Sequence, residues 1–263
     1  ESKNLLTPKL SFRFNPSDMK NYSSTSRSIN PSNIWAINRL GLSDTFESGR
    51  SLTFGINYSN ERKSNLDEIN NYFEMKLATV LRDKEEKFVP NSSTLNRKNS
   101  NLFGSITNDF SENIEVGYNF SLDNDFNSIE YNEMFTTLSN NNIITKFNFI
   151  EENGERGDSN IFATEIEYNQ DDKNFFSFKT RRNRKLNLTE FYDLIYEYKN
   201  DCLTAGVKYK KTYYSDGDLR PTQNLLFTVT LFPLTTYEHD ADDLLKNEDS
   251  FLNNLELSTD AFK

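Results

Sequence analysis

The residues of this 263-residue chain that could carry out chemistry are few and far apart in sequence. Cys202 is the single cysteine and His239 the single histidine. One thiol cannot form an internal disulfide, and it makes no metal site without other thiols or imidazoles nearby. Hydrolysis needs a base beside a nucleophile, and His239 lies in an acidic stretch outside every strand pattern. We therefore expect no enzymatic activity, no metal and no cofactor.

One basic cluster interrupts an otherwise acidic chain. Arg181, Arg182, Arg184 and Lys185 fall in the segment TRRNRKLNL, which reads as a long loop. Guanidinium and ammonium groups pair well with phosphates, although a basic loop that only offsets the acidity of the chain fits the pattern equally. The net charge is −10, which argues against nucleic acid as a partner because phosphate neutralisation needs many clustered cations.

The elements that must position these residues are β-strands. Aromatic residues make up 14% of the chain, with 22 Phe and 13 Tyr, and these side chains favour strands. Apolar and polar residues alternate in segment after segment, separated by clusters of Asn, Asp, Ser and Gly. The predicted strands are Leu10–Phe14, Ile34–Leu40, Ser51–Tyr58, Phe73–Arg82, one ending near Asn108, Ile114–Leu122, Ser128–Leu138, Ile143–Ile150, Phe162–Tyr168, Phe176–Phe178, Tyr192–Tyr198, Cys202–Tyr214 and Leu225–Phe232.

This pattern predicts an all-β fold, an antiparallel transmembrane β-barrel fragment of about a dozen strands. No apolar run approaches the roughly 18 residues that a membrane-spanning helix needs. The mean hydropathy of −0.76 is compatible with a barrel, because only every second strand residue faces lipid. We predict a barrel domain over residues 1–232 and an acidic, flexible tail over residues 233–263. The opening ESKNLLTPKL lacks the apolar segment of a signal peptide, so we expect a mature product or a fragment.

Short and long connections are predicted to alternate strictly along the chain. The short ones are read as periplasmic turns and the long ones, including a polar loop from Asp83 to Asn99, as extracellular loops. This parity places Cys202 at the periplasmic rim. The polar face of the strands would line a hydrated interior or simply fill a barrel, and its charged members are Glu115, Glu165, Glu167, Asp193, Glu197, Lys76, Lys146, Lys208 and Lys210.

Two stretches resemble the LptD family of outer-membrane proteins that assemble lipopolysaccharide (LPS), in the carboxy-terminal half of the family's barrel. The first is NRLGLSDTFESGRSLTFGINY, from Asn38 to Tyr58. The second is DCLTAGVKYKKTYYSDGDLRPTQNLLFTVTL, from Asp201 to Leu231, which is similar to the ending of alphaproteobacterial members. The resemblance covers about residues 38 to 232.

The resemblance implies a function and a set of partners. The family inserts LPS into the outer leaflet of the cell outer membrane through a lateral gate, a seam between the first and last strands. The partners implied are LPS, an LptE-like plug lipoprotein, an LptA-like periplasmic bridge protein and the barrel insertion machinery. The family's jellyroll domain and first barrel strands have no counterpart in this sequence, and the tail would lie in the periplasm.

The same resemblance assigns roles to particular residues. Cys202 would form a disulfide with the periplasmic region, although a free small residue at the start of a strand also fits the pattern. At the outer rim of such a barrel, Arg181, Arg182, Arg184 and Lys185 could contact LPS phosphates. The gate strand would consist of Leu225, Leu226, Phe227, Thr228, Val229, Thr230, Leu231 and Phe232. Pattern alone does not separate a gate strand from an ordinary closing strand. A passive porin or a receptor-type barrel therefore stays open as the alternative, followed by a soluble β-sandwich and an outer-membrane lipase or protease.

Overall fold

A single antiparallel sheet contains all the strands of the described residues. The computed structural model describes residues 2–63, 69–213, 222–232 and 235–240, and over these ranges thirteen strands pair in sequence order. This meander confirms the predicted all-β class with about a dozen strands, and it is the arrangement from which membrane barrels are built. The strands are β1 (Ser2–Asn15), β2 (Gly49–Lys63), β3 (Ile69–Arg82), β4 (Leu102–Ser111), β5 (Ile114–Leu122), β6 (Ile129–Asn140), β7 (Ile143–Glu152), β8 (Ser159–Asn169), β9 (Asn174–Asn183), β10 (Leu188–Lys199), β11 (Leu203–Thr212), β12 (Thr222–Leu231) and β13 (Thr235–Asp240).

Helical structure is limited to two single turns in the described chain, Asn91–Ser93 and Gly154–Arg156. No helix within the described ranges is long and apolar enough to span a membrane. The contacts divide the chain into two units, and each has two unlike faces. The first unit comprises Glu1–Leu138 and Phe147–Ile161, and the second comprises Ser139–Lys146 and Phe162–Lys263.

In the first unit, alternation along β2 separates an apolar face from a covered face. Phe54 and Ile56 remain 40% and 45% exposed, whereas Ser51 and Thr53 are each 3% exposed. Antiparallel pairing extends the apolar face, because Leu10 of β1 lies opposite Phe54. We call the side that carries Ser51 and Thr53 the covered face, since other parts of the chain pack on it.

The second unit shows the same alternation with a polar face in place of the covered one. Phe178, Leu194 and Tyr209 are register partners across β9, β10 and β11, so they share an apolar face. Asp193 lies between Lys179 and Lys210 on the other face. Adjacent strands therefore bring opposite charges together on this polar face.

The connections alternate between short and long for much of the sheet, as predicted. Residues 112–113 and 141–142 are two-residue turns, whereas residues 123–128 and 153–158 are longer. Asn141 has a φ of 47°, the left-handed conformation that such hairpin turns favour. The prediction of strict alternation is wrong further along, where residues 170–173 and 184–187 are turns of equal length.

Residues Ile34–Leu40, predicted to be a strand, form turns in the connection between β1 and β2. The amide of Ile34 donates to the carbonyl of Asn30 at 3.1 Å, and the amide of Gly41 donates to that of Asn38 at 3.1 Å. Asn side chains bind nearby backbone groups and so compete with strand pairing. The alternating pattern was misleading because Ile34 and Leu40, each 1% exposed, belong to a small core.

The first strand and the loop after β3 also differ from expectation. The predicted strand Leu10–Phe14 begins earlier in the structure, at Ser2. The longer strand contains Pro8, which is tolerated because β1 lies at the edge of the sheet. The segment Asp83–Asn99 is not simply a polar loop, because Val89 and Leu95 are fully buried.

The sequence pattern predicts that β12 is the last strand, but a further strand follows it in the structure. Residues Thr235–Asp240 form β13 and pair with β12, with Val229 opposite Tyr237. The sheet therefore continues past the predicted domain boundary at residue 232, and His239, predicted to lie outside the strands, is part of β13. The rest of the predicted tail, residues 241–263, lies outside the described ranges.

We expect Gly55→Ala to destabilise the first unit. A Cβ at Gly55 would lie 2.5 Å from Cζ2 of Trp35 and 2.8 Å from the carbonyl oxygen of Leu77, so the indole must move away from the sheet. Overpacking of this kind costs about 1–3 kcal/mol. Denaturant unfolding in detergent would measure the loss, and the emission of Trp35, the only tryptophan, would shift to the red.

Gly206→Ala is the matched control for this change. A Cβ there would meet the hydroxyl of Thr228 at 2.9 Å, and that hydroxyl can rotate away. Equal losses for the two variants would contradict the close packing of Trp35 on Gly55.

Candidate functional site

Two connections of the first unit fold together on the covered face. We call residues 16–48 together with residues 83–101 the cap. Its apolar core contains cap residues and three residues of the sheet, Ala78, Val80 and Phe103. The cap members are Met19, Ile29, Ile34, Leu40, Leu42, Val89 and Leu95, with Tyr22 and Trp35 packed against them. The long connections are therefore an ordered part of the molecule that shares a core with β3 and β4.

A buried carboxylate, Glu47, joins the cap to the sheet. Arg39 binds it with two parallel hydrogen bonds, from Nε to Oε2 at 2.7 Å and from Nη2 to Oε1 at 2.6 Å. Arg82 of β3 donates to the same Oε1 and to the carbonyl of Ser48. The side chains of Arg39, Arg82 and Glu47 are 0%, 1% and 3% exposed. We call these three residues the latch.

The latch also reaches the polar residues of β2. Arg39 donates to the hydroxyls of Ser51 and Thr53, each at 3.1 Å. The covered face of β2 is polar at Ser51 and Thr53 because the buried guanidinium of Arg39 needs hydrogen-bond acceptors for its N–H groups.

The electrostatics of the latch keep Glu47 ionised. Burial alone would raise its pKa, but the hydrogen bonds and charge of Arg39, together with the charges of Arg82 and Arg13, hold the pKa below its ordinary value. The carboxylate is therefore charged at neutral pH, and each latch guanidinium has an anionic partner.

Two further arginines hold the cap by its backbone. Arg13 of β1 donates from Nη2 to the carbonyl of Ala36 at 2.7 Å and from Nη1 to that of Ile37. Arg156, after β7, donates to the carbonyl of Ile29 at 3.0 Å. Its guanidinium lies 4.9 Å from the ring centroid of Tyr131, and this cation–π contact stabilises the positive charge. The cap is thus attached to several strands rather than through one hinge.

The two segments of the cap are also joined to each other. The amide of Tyr22 donates to the carbonyl of Phe88 at 2.9 Å, and the amide of Asn91 donates to that of Ser23 at 3.1 Å. Behind them, Asn101 donates to Ser121 and Glu130 of the sheet. These bonds satisfy polar groups that would otherwise be buried alone.

Two of the three latch residues, Arg39 and Glu47, come from the first stretch that resembles the LptD family, and Arg82 lies outside it. Asn38 closes a turn by donating to the carbonyl of Leu42 at 2.6 Å, and Arg39 and Glu47 form the ion pair. Arg50 pairs with Asp83 at 2.9 Å across the end of the sheet. Sequence reasoning recognised this stretch but assigned no role to Arg39, Glu47 or Arg82. The signal that could have identified them is an Arg and a Glu eight residues apart among buried apolar positions.

The predicted gate strand lies within the sheet, with a strand on either side. Residues 225–231 belong to β12, and Phe232 lies in the turn that follows. Cys202 is an exposed free cysteine in the turn before β11. The carbonyl of Cys202 accepts a hydrogen bond from the amide of Phe232 at 2.9 Å, so the structure brings these two predicted sites together.

The basic cluster is not on a long loop, as the sequence suggested. Arg181 and Arg182 belong to β9, because they pair with Phe191 and Thr189 across a bulge in β10. Arg181 forms an ion pair with Glu190 at 2.7 Å. Only Arg184 and Lys185 lie in the four-residue turn 184–187.

The polar face of the second unit carries an ordered set of charges. Lys146 lies 3.6 Å from Glu165 and 3.5 Å from Glu167, and Lys179 lies 2.8 Å from Glu165. Lys208 lies 3.6 Å from Asp193. These side chains are partly exposed, so this face is hydrated and suits polar solutes.

The carboxylate of Glu47 is fully engaged with guanidinium groups, and across the described ranges no three His, Cys, Asp or Glu side chains are placed to hold a metal ion. The latch is therefore suited to fixing the cap in place, and the polar face of the second unit to contact with hydrated groups.

Comparison with solved structures finds distant likenesses. No protein-family model matches the chain, and no curated protein matches it. Among solved structures, two mutants of the Rh. blastica porin align at 11% and 12% identity with TM-scores of 0.38. They cover 74% and 73% of this chain and 84% and 83% of the porin chains. A chain from work on the asymmetric conductivity of engineered proteins aligns at 11% identity with a TM-score of 0.34, covering 91% of this chain and 98% of its own.

We expect Glu47→Gln to loosen the cap, because it leaves two buried guanidinium groups without their counter-ion. Breaking a buried pair in this way costs about 3–5 kcal/mol. Trypsin cleavage at the exposed Arg27 in the cap would measure the loosening. Because the pKa of Glu47 is lowered from 4.5, wild-type stability should hold above about pH 4.5 and fall only as the pH drops through the lower folded value.

Asp44→Asn is the matched control, since Asp44 pairs with Lys20 at 2.6 Å on the surface of the same cap. It should leave cleavage at Arg27 unchanged. A wild-type cap that opens roughly between pH 5 and 7, or a Glu47→Gln cap as resistant as wild type, would contradict the role of the latch.

Proposed function

We propose that this chain forms part of the wall of a β-barrel in the outer membrane of a Gram-negative cell. The observation that carries this proposal is the apolar face, where large side chains stay exposed on successive strands. Examples are Phe12 at 69%, Met134 at 52% and Leu194 at 51% exposed. Soluble proteins rarely expose apolar surface on this scale, whereas a bilayer covers it. Pairing between strands satisfies backbone N–H and C=O groups, which is required in the hydrocarbon core of a membrane because no water is present there to bind them.

Within this class, the function that we propose is insertion of LPS into the outer leaflet. The support is twofold. The stretch NRLGLSDTFESGR, whose likeness to the LptD family is described above, supplies Arg39 and Glu47 of the latch. The cap covers the polar side of the sheet in the first unit, an arrangement that suits a gated translocon better than an open pore.

The roles of individual residues and partners follow from that proposal. Residues 225–232 serve as the gate strand, with β13 as an additional strand at the edge of the sheet. Cys202, an exposed free cysteine, is available for a disulfide with a periplasmic segment. Arg181, Arg182, Arg184 and Lys185 contact LPS phosphates at the far end of β9. The partners are LPS, an LptE-like plug lipoprotein, an LptA-like bridge protein and the barrel insertion machinery, with residues 241–263 in the periplasm.

A passive porin or a receptor-type barrel is the second candidate. The observation that favours it is the polar face of the second unit, where Lys146, Glu165, Lys179 and Asp193 are partly exposed and no cap is packed on them among the described residues. Such a face would conduct small hydrated solutes without any contact with LPS.

Photocrosslinking in Gram-negative cells distinguishes the two candidates. A photoreactive residue at Thr228, on the polar face of β12, should form an adduct with LPS, because only a translocon brings LPS to the side of the sheet that faces away from lipid. A residue at Asn119, on the covered face beneath cap residues 28–32, serves as the control and should give several-fold less adduct. Absence of LPS adducts at both positions would contradict LPS insertion and favour the porin.

A further inference from the structure

The turn between β7 and β8 contains the only Asn–Gly pair in the sequence, Asn153 and Gly154. Asparagine is a chemically labile residue. It is most labile before glycine, because glycine has no side chain to hinder attack by its own amide nitrogen. Both residues are exposed, so water reaches the side-chain amide. The turn therefore combines a reactive dipeptide with access to solvent.

Neither reacting group of this pair is held by a hydrogen bond within the described ranges. Asn153 has an extended backbone, and its side chain does not cap the helical turn that follows. The amide of Gly154, the first residue of that turn, has no acceptor there either. The nitrogen of Gly154 can therefore attack Cγ of Asn153 without breaking an existing contact.

Asn127 provides a comparison in the same unit. It is exposed in the turn before β6, and it precedes another small residue, Ser128. The carboxylate of Asp123 accepts from both amides, at 2.7 Å from that of Asn127 and at 3.3 Å from that of Ser128. The nitrogen of Ser128 would have to leave this carboxylate before it attacked. Asn127 is therefore as accessible as Asn153 but less reactive.

The turn that contains Asn153 also attaches the cap to the sheet. Its Arg156 donates to the carbonyl of Ile29 at 3.0 Å and to the hydroxyl of Ser28 at 2.9 Å. Its Glu155 lies 3.8 Å from Arg97 in the second segment of the cap. The turn thus holds both segments of the cap, and a change in its backbone would reach both.

Close packing against Glu130 leaves this turn little room for change. The amide of Asn153 donates to the carbonyl of Glu130 at 2.8 Å, and a Cβ at Gly154 would lie 3.3 Å from Oε1 of the same glutamate. Glu130 is 8% exposed. A new carboxylate at position 153 would place like charge beside this buried one, where water screens it poorly.

We propose that Asn153 is a site of spontaneous deamidation and that the modification loosens the cap at Arg156. The nitrogen of Gly154 forms a bond to Cγ of Asn153, and ammonia leaves with the proton of the Gly154 amide. The product is a five-membered succinimide, which water opens at one of its two carbonyl carbons.

The two directions of ring opening give different backbones. Addition of water at Cγ restores the original backbone and gives aspartate. Addition at the main-chain carbonyl carbon gives isoaspartate, in which the backbone runs through the former side chain and is one methylene longer. The longer backbone displaces the residues that follow, so Arg156 no longer reaches Ile29. This chemistry needs only water and is independent of the proposed membrane function.

Mass spectrometry tests the modification site. The full chain is aged in detergent at mildly alkaline pH and physiological temperature, and its peptides are then sequenced by fragmentation. Asn153 should gain the mass difference between Asn and Asp, and its peptide should accept methyl groups from an isoaspartyl methyltransferase. Asn127 should be deamidated to a several-fold smaller extent. An unchanged Asn153, or Asn127 modified as fast as Asn153, would overturn the site.

Trypsin cleavage after the exposed Arg27 tests the effect on the cap, because Arg27 directly precedes the two residues that Arg156 binds. Aged wild-type protein should be cleaved at least twofold faster than fresh protein, with the same circular dichroism. Asn153→Gln is the matched variant. It keeps an exposed amide, but its longer side chain forms the cyclic intermediate far more slowly, so ageing should not change its cleavage.

Two results of this experiment would contradict the effect on the cap. Ageing that accelerates cleavage of Asn153→Gln as much as that of wild type would assign the loosening to a different change. Complete deamidation of Asn153 with unaltered cleavage after Arg27 would show that the turn does not hold the cap through Arg156.

Discussion

The arrangement of the first unit depends on the burial of one carboxylate between two guanidinium groups. Glu47 and its partners Arg39 and Arg82 are almost completely removed from solvent. Burying three charges carries a large desolvation penalty, which good geometry and additional hydrogen bonds offset. The bidentate pair with Arg39, the bonds from Arg82 and the hydroxyls of Ser51 and Thr53 supply most of these bonds, and Nε of Arg82 is buried without an acceptor.

This constraint explains features that lie outside the latch. With the cap fixed, Ile34 and Leu40 reach the core formed with Val80 and Phe103, and Trp35 comes to rest on Gly55. Arg13 and Arg156 then donate to the backbone carbonyl groups of Ala36 and Ile29 in the cap. The cap is thus specified by directed polar contacts and a small apolar core, and cap and sheet stabilise each other.

The two faces of the sheet have different roles in the proposed function. The apolar face suits a bilayer in both units. The other face is closed by the cap in the first unit, and in the second unit it presents paired charges to solvent. A translocon for an amphipathic lipid needs such a division, because its substrate has an acyl part for one face and a sugar part for the other.

The sequence predicted what depends on local alternation and missed what depends on distant contacts. The strands from β2 to β12 follow from a period of two, and residues such as Val116 and Phe120 mark them directly. The cap could not be predicted, because its stability comes from pairs such as Arg82 with Glu47, which are 35 residues apart, and Arg156 with Ile29, which are 127 apart. The spacing of apolar residues in Ile34–Leu40 predicts a strand, but the structure uses the same spacing to bury Ile34 and Leu40 in a small core. The second stretch of LptD resemblance predicted β12 but not β13, whose short polar sequence TTYEHD carries little alternation.

Amide hydrogen exchange tests the latched cap most directly. In the intact protein in detergent, peptides from residues 16–48 should be protected to a degree that approaches peptides from β2, because the cap shares hydrogen bonds and a core with the sheet. The protection should be lost together across the cap when the latch is broken. Complete exchange of residues 16–48 within seconds in wild-type protein, as for a free loop, would contradict the account.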